Sequence, residues 1–225
     1  MKLLTHIPCP VETATVLSRM NTTSREKHTA AIEKLLIQAN EKIKPAMLYK
    51  RCPVCFKDES SVIVNDVEFN SRILKVNLEN AKNAFVYIIT CGQTYEDFLH
   101  SLDDMLDRYY VNEIGNVMLS EAQAQFLRYL EKTYALECIS KMNPGSLEDW
   151  PLSEQKKLFA LLTEEAIHEK IGVTLEENML MTPVKTLSGI AFPTASPFEN
   201  CQMCPQISCP GRKAPYDDSL KKTYF

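Results

Sequence analysis

Apolar positions at Ile32, Leu35, Leu36, Ala39 and Ile43 recur at helical spacing and predict a helix over residues 24–43, closed by Pro45. Residues 1–22, with Pro8, Pro10 and a Thr-Thr pair, read as an irregular lead-in. Strands are predicted at 46–52 and 62–69; in the second, Val62, Val64 and Val67 alternate imperfectly around a turn or bulge at Asn65-Asp66. Residues 84–90 are apolar throughout, which predicts a strand covered on both faces. After Cys91-Gly92, Thr94 and Asp97 form a capping-type pair that opens a helix with Phe98, Leu99, Leu102, Met105, Leu106 and Tyr109 as its buried stripe. A break at Gly115 and a capping box at Ser120 and Gln123 predict a second helix, with Ala122, Phe126, Leu127, Leu130, Tyr134 and Cys138 facing inward. Asn143-Pro144-Gly145-Ser146 interrupts the pattern before a helix over 153–170 that Gly172 stops. Short strands follow at 178–181 and 186–192.

Helices and strands do not alternate strictly. The expected fold class is therefore α+β, a mainly antiparallel sheet packed with long helices, rather than a doubly wound parallel sheet. From Pro193 onward the chain is rich in Pro, Cys and Gly and has no periodicity. The expected division is one α+β domain over 1–192 and a Cys/Pro-rich tail over 193–225.

Composition narrows the function classes. The 225 residues are 45% hydrophobic, enough for one sizeable core. Net charge is −4, and no basic block exceeds pairs such as Lys50-Arg51 and Lys221-Lys222, so no nucleic-acid partner is expected. Pro8, Pro10 and Glu12 break the only stretch that begins like a signal peptide, and no apolar run approaches a membrane span. A soluble, cytoplasmic protein is expected. Its eight cysteines then favour metal or redox chemistry over disulfides, because five of them cluster as Cys52/Cys55 and Cys201/Cys204/Cys209.

Two segments carry candidate chemistry. The loop at 143–151 joins two long helical patterns. Pro144-Gly145 permits tight turning and close backbone approach to a ligand, and the following helix points its electropositive end there. Lys141 adds a positive charge. Trp150, the only tryptophan, suits either stacking on a ligand ring or filling the core. In the tail, Cys201-x2-Cys204-x4-Cys209 can converge on one ion or cluster, with Cys52, Cys55, Cys138 or Cys9 as a fourth ligand. An iron–sulfur cluster and structural zinc both fit. Cys52-Pro-Val-Cys55 has redox-motif spacing but does not open a helix after a strand, so a thioredoxin reading is poor. The four histidines are scattered, and Glu164-Glu165 and Asp103-Asp104 read as solvated helix faces.

The ordered set Met142-Asn-Pro-Gly-Ser-Leu-Glu-Asp-Trp-Pro, then residues 155–162, then Ile171-Gly-Val-Thr-Leu-Glu-Glu-Asn-Met-Leu-Met-Thr-Pro183, then Thr186-Leu-Ser-Gly-Ile190 resembles the activation domain of cobalamin-dependent methionine synthase. Phe85-Val-Tyr-Ile-Ile-Thr-Cys-Gly92 is similar to that family's strand ending in a Thr-x-Gly turn. The resemblance covers roughly residues 45–192.

The resemblance implies S-adenosylmethionine binding and transfer of its methyl group to reduced cobalamin held by a partner, methionine synthase or another corrinoid protein. A flavodoxin- or ferredoxin-like donor would supply the electron. By this resemblance Lys141 takes the place of a loop arginine that binds the methionyl carboxylate, and Ser146 that of a loop tyrosine near the corrin. Lysine keeps the charge and loses the bidentate fork. Asn143, Pro144, Gly145, Ser146 and Trp150, with Ser188 and Gly189 at a Ser-Gly turn, complete the ligand candidates. Ser188 and Gly189 also suit a purely structural turn. The competing expectation is a non-enzymatic iron–sulfur or zinc module that docks on, or passes electrons to, a corrinoid protein.

Overall fold

The computed structural model describes residues 1–5, 7–20, 25–195, 197–220 and 224. The chain opens with strand β1 (Lys2–Leu4) and helix α1 (Thr13–Arg19), where an irregular lead-in is expected from the prolines. Both elements owe their order to tertiary contacts. β1 pairs antiparallel with the strand that follows helix α2 (Arg25–Lys42), and α1 buries Val16 and Leu17.

That strand, β2 (Ala46–Phe56), is long enough to pair with β1, with β3 (Ser61–Val64) and with β5 (Asn83–Thr90). β3 and β4 (Val67–Asn70) form a hairpin whose two loop residues, Asn65 and Asp66, both take positive φ (47° and 68°). Such a turn follows the natural twist of the strands, and Asn and Asp tolerate it better than most residues. Helix α3 (Arg72–Leu78) leads into β5, which is buried at every position after the first.

Helix α4 (Gln93–His100) is followed by α5 (Met105–Tyr134), thirty residues without interruption. This corrects the expected break at Gly115. The real break lies at residues 101–104, where Asp104 Oδ1 accepts the N–H groups of Leu106 (2.7 Å) and Asp107 (3.0 Å). Gly115 serves packing instead: a Cβ there would lie 2.4 Å from Tyr95 Cε2 and 3.2 Å from Lys185 Cε. Gln123, expected in a capping box, sits mid-helix and donates to the Tyr87 hydroxyl (2.9 Å). α5 ends at Tyr134, short of Cys138, and strand β6 (Ile139–Met142) follows.

The expected helix over 153–170 is two helices, α6 (Gln155–Leu162) and α7 (Glu164–Ile171), preceded by a short 3-10 turn at Leu152–Glu154. Thr163 at φ 60° separates them, and Lys50 Nζ donates to the Leu161 carbonyl at the end of α6 (3.3 Å). Gly172 at φ 64° ends α7 as expected. The small hairpin of β7 (Thr174–Leu175) and β8 (Met181–Thr182) replaces the single strand expected at 178–181. Strand β9 (Thr186–Pro193) closes the sheet.

The main sheet has the order β4-β3-β2-β5-β9-β6, with β1 added beside β2, and every pairing is antiparallel. One face carries Leu48, Val86, Ile88, Ile190 and Phe192 against α3, α6 and α7. The other carries Met47, Tyr49, Phe85, Tyr87 and Ile89 against Ala122, Phe126 and Leu130 of α5. A further cluster joins α1, α2 and α4 to the first half of α5. The fold class is thus α+β with a mainly antiparallel sheet, as the pattern predicts. Among the described residues, no helix is long and apolar enough to cross a membrane.

The Gly115 contact yields a test. Alanine usually favours a helix by about 1 kcal/mol over glycine. Here Gly115→Ala pushes on the rigid, buried Tyr95 ring, and we expect a net loss of about 1–2 kcal/mol in a denaturant titration. A stabilised variant would contradict the packing.

Candidate functional site

The Pro-Gly loop leaves the end of β6, the edge strand of the sheet, and closes on itself. Gly145 N–H donates to the Trp150 carbonyl (2.8 Å), Ser146 N–H to the Asn143 carbonyl (3.2 Å), and Trp150 N–H to the Leu147 carbonyl (3.1 Å). Gly145 sits at φ 80°, where a side chain would be strained and would press on Leu152. Asp149 ties the loop to α3: its carboxylate accepts the Ser71 hydroxyl and the N–H groups of Arg72 (3.3 Å) and Ile73 (3.0 Å). This negative charge at a helix N-terminus satisfies orphan donors. Trp150 lies wholly inside the core, edge-on to Phe69, so its ring is filler between the loop and the hairpin.

Asn143 faces inward. Its amide donates to the Tyr87 hydroxyl (3.1 Å) and to the Ser188 carbonyl (2.6 Å). The Ser188 hydroxyl donates to Gln155 Oε1 (3.1 Å), and Gln155 Nε2 donates to the Met179 carbonyl (3.1 Å). Ser188 and Gly189 lie in the middle of β9 rather than at a turn. A Cβ at Gly189 would be 2.5 Å from the Met142 carbonyl oxygen, and 2.7 Å from both Asn143 Nδ2 and the Tyr87 hydroxyl. Burial raises the pKa of that hydroxyl, so it stays neutral and can accept both amides. Asn143, Ser188 and Gly189 are thus brought together, through a buried network that includes Tyr87, Gln123 and Gln155.

A groove of about 640 Å³ opens beside the loop. The loop supplies Gly145, Ser146, Glu148 and Leu152, while Met203 and Tyr216 of the C-terminal segment form an opposing wall. The two segments singled out in the sequence therefore share one cavity, of a size that suits a small organic ligand.

Lys141 is placed differently. It is 7% exposed on β6, and its ammonium lies 3.0 Å from each oxygen of Glu199. Glu199 is a site-region residue that sequence reasoning misses. It is 58 positions from Lys141, in a segment without periodicity, and no local signal pairs them.

The C-terminal segment is fastened to the body. Phe198 is buried against the sheet, and its N–H donates to the Ser140 hydroxyl (2.8 Å). The Arg212 guanidinium collects the carbonyls of Cys201 (2.6 Å), Ala214 (3.0 Å), Cys204 (2.8 Å) and Gln206 (2.8 Å). Lys213 N–H points at Cys201 Sγ (3.3 Å). Cys201, Cys204 and Cys209 are free thiols, each partly exposed. Among the described residues, no three His, Cys, Asp or Glu side chains converge closely enough to hold an ion.

Cys52 and Cys55 stand on β2 three residues apart, so they point to opposite faces of the strand and do not meet. Cys52 is fully buried and Cys55 exposed. Cys138 precedes β6, with its carbonyl accepting Thr194 N–H (3.2 Å). Burial pushes the Cys9 thiol up to about 11 and the Cys91 thiol up to about 12.

No protein-family model matches this chain. No curated protein matches it either. The architecture defines an α+β fold with an antiparallel sheet enclosed by helices on both faces. Among solved structures it is similar to the MetH reactivation domain bound to AdoHcy, at a TM-score of 0.54 and 14% identity, over 88% of this chain and 80% of that one. This likeness is one of fold.

Two outcomes test the geometry. Gly189→Ala drives a methyl group into a backbone carbonyl, and we expect a cost of about 3 kcal/mol in urea unfolding; an unchanged midpoint would contradict the close approach. Native-state alkylation at pH 8, followed by mass spectrometry, should label Cys55 and the three C-terminal thiols well before Cys52 and Cys91, since burial shields the latter two and disfavours their thiolates. Equal labelling of Cys52 and Cys55 would contradict their placement on opposite faces.

Proposed function

We propose that this chain binds S-adenosylmethionine beside the Pro-Gly loop and serves the reactivation of a corrinoid-dependent methyltransferase, most simply methionine synthase. The observation that supports this reading best is the likeness of fold to a reactivation domain over most of the chain. The ordered motifs across residues 142–190 agree with it.

The chemistry asks little of acid–base groups. Held by the partner and reduced by an electron from a flavodoxin- or ferredoxin-like donor, cobalamin would supply the nucleophile for the sulfonium methyl group, and S-adenosylhomocysteine would be the leaving product. The protein contributes by holding the two reactants in line. Gly145 and Ser146 line the groove, and Lys141, on β6 outside that lining, is the proposed cation for the ligand's carboxylate. Asn143, Ser188 and Gly189 act beneath them by fixing the loop.

Isothermal titration calorimetry tests the proposal. Binding of S-adenosylmethionine at one molecule per chain is expected, and Lys141→Ala should weaken it about tenfold or more, as loss of a charged hydrogen-bonding partner usually does. An absence of heat at millimolar ligand would sink the reading.

The second reading, a zinc or iron–sulfur module that docks on a corrinoid protein, draws on three reduced thiols in a segment organised by Arg212. It requires the segment to close around an ion, because the thiols do not converge in the present geometry. Metal analysis and visible absorption of protein prepared without oxygen separate the versions. Under this reading the metal is bound stoichiometrically and is lost when Cys201, Cys204 and Cys209 are replaced by serine; metal-free protein rejects it.

A further inference from the structure

The edge strand β6 grips the C-terminal segment through two consecutive residues. Ser140 Oγ accepts the N–H of Phe198 on one face of the sheet. Lys141 Nζ donates to both oxygens of Glu199 on the other. Phe198 is buried and fixed, whereas the Glu199 side chain remains 36% exposed. The Lys141 side chain is only 9% exposed, so an external carboxylate cannot reach its ammonium while Glu199 is seated there.

We propose that Glu199 is an internal stand-in for the ligand's carboxylate, and that ligand binding displaces it from Lys141. This inference rests on the proposed role of Lys141 as the ligand's anchor. The exchange is balanced in charge: one carboxylate replaces another, and the buried ammonium is never left unpaired. Glu199 can swing outward about Phe198 because its exposed side faces solvent. It also accepts a backbone N–H in the turn Asn200–Gln202, which contains Cys201. Displacing Glu199 therefore loosens the segment that holds the three thiols. By linkage, anything that locks those thiols in place opposes ligand entry, and the ligand opposes locking to the same degree.

Glu199→Gln tests the competition. It preserves size and the acceptor for the turn, and removes the charge that competes. S-adenosylmethionine should bind this variant about tenfold more tightly than the wild type, since the competent site is no longer mostly self-occupied. Decarboxylated S-adenosylmethionine, which has no group to exchange, should bind both proteins equally. In the wild-type protein, saturating S-adenosylmethionine should speed alkylation of Cys201. Equal or weaker binding of S-adenosylmethionine by Glu199→Gln, with measurable binding by the wild type, overturns the stand-in and leaves the ligand reading intact. Should the variant fail to fold, an unchanged alkylation rate of wild-type Cys201 overturns it instead. No binding by either folded protein overturns the ligand reading and this inference together.

Discussion

The centre of the molecule depends on the absence of a side chain at Gly189. The Met142 carbonyl, the Asn143 amide and the Tyr87 hydroxyl all approach this one Cα closely enough that a single methyl group would collide with each. These atoms belong to β5 and to the end of β6, the two strands that flank Gly189 on β9. Their convergence lets Asn143 turn inward and spend its amide on Tyr87 and Ser188. That turn launches the Pro-Gly loop at a defined angle. Asp149 and Trp150 then pin its far end, one through the N-terminus of α3 and the other through the core. The groove beside the loop is bounded by Ile73 of α3 and by Met203, Pro205 and Tyr216 of the C-terminal segment.

Features governed by neighbouring residues were legible in the sequence. The fully apolar run of β5, the turn at Asn65-Asp66 and the stop at Gly172 all follow from local pattern and backbone preference. Gly115 was not legible as a packing residue, because its reason for being glycine is the Tyr95 ring on another helix. Gln123 likewise mimics a capping residue by spacing, and its partner is Tyr87 across the sheet. β1 and α1 were obscured by nearby prolines and exist through contacts with distant elements. In the candidate site, the position of the loop was readable. The inward use of Asn143 and the pairing of Lys141 with Glu199 were not, since both are contacts between residues far apart in the chain.

The C-terminal segment changes how the loop is understood. Its cysteines dominate the sequence, yet its clearest structural act is made by Glu199 and Phe198, which fasten it to β6. Arg212 then shapes the cysteine-bearing stretch by gathering its carbonyls. A cation on an edge strand, a carboxylate that covers it and a thiol-bearing turn form one mechanical unit. The loop and the tail also line one groove, with Gly145, Ser146 and Leu152 from the loop and Met203, Pro205 and Tyr216 from the tail.

The most direct measurement of the central claim is an amide chemical-shift titration of the isotopically labelled protein with S-adenosylmethionine. Saturable shifts concentrated at Lys141, Gly145, Ser146, Glu199 and Met203 are expected, with β1 and the β3–β4 hairpin unaffected. Saturable shifts confined to another surface, or no shifts at millimolar ligand, would contradict it.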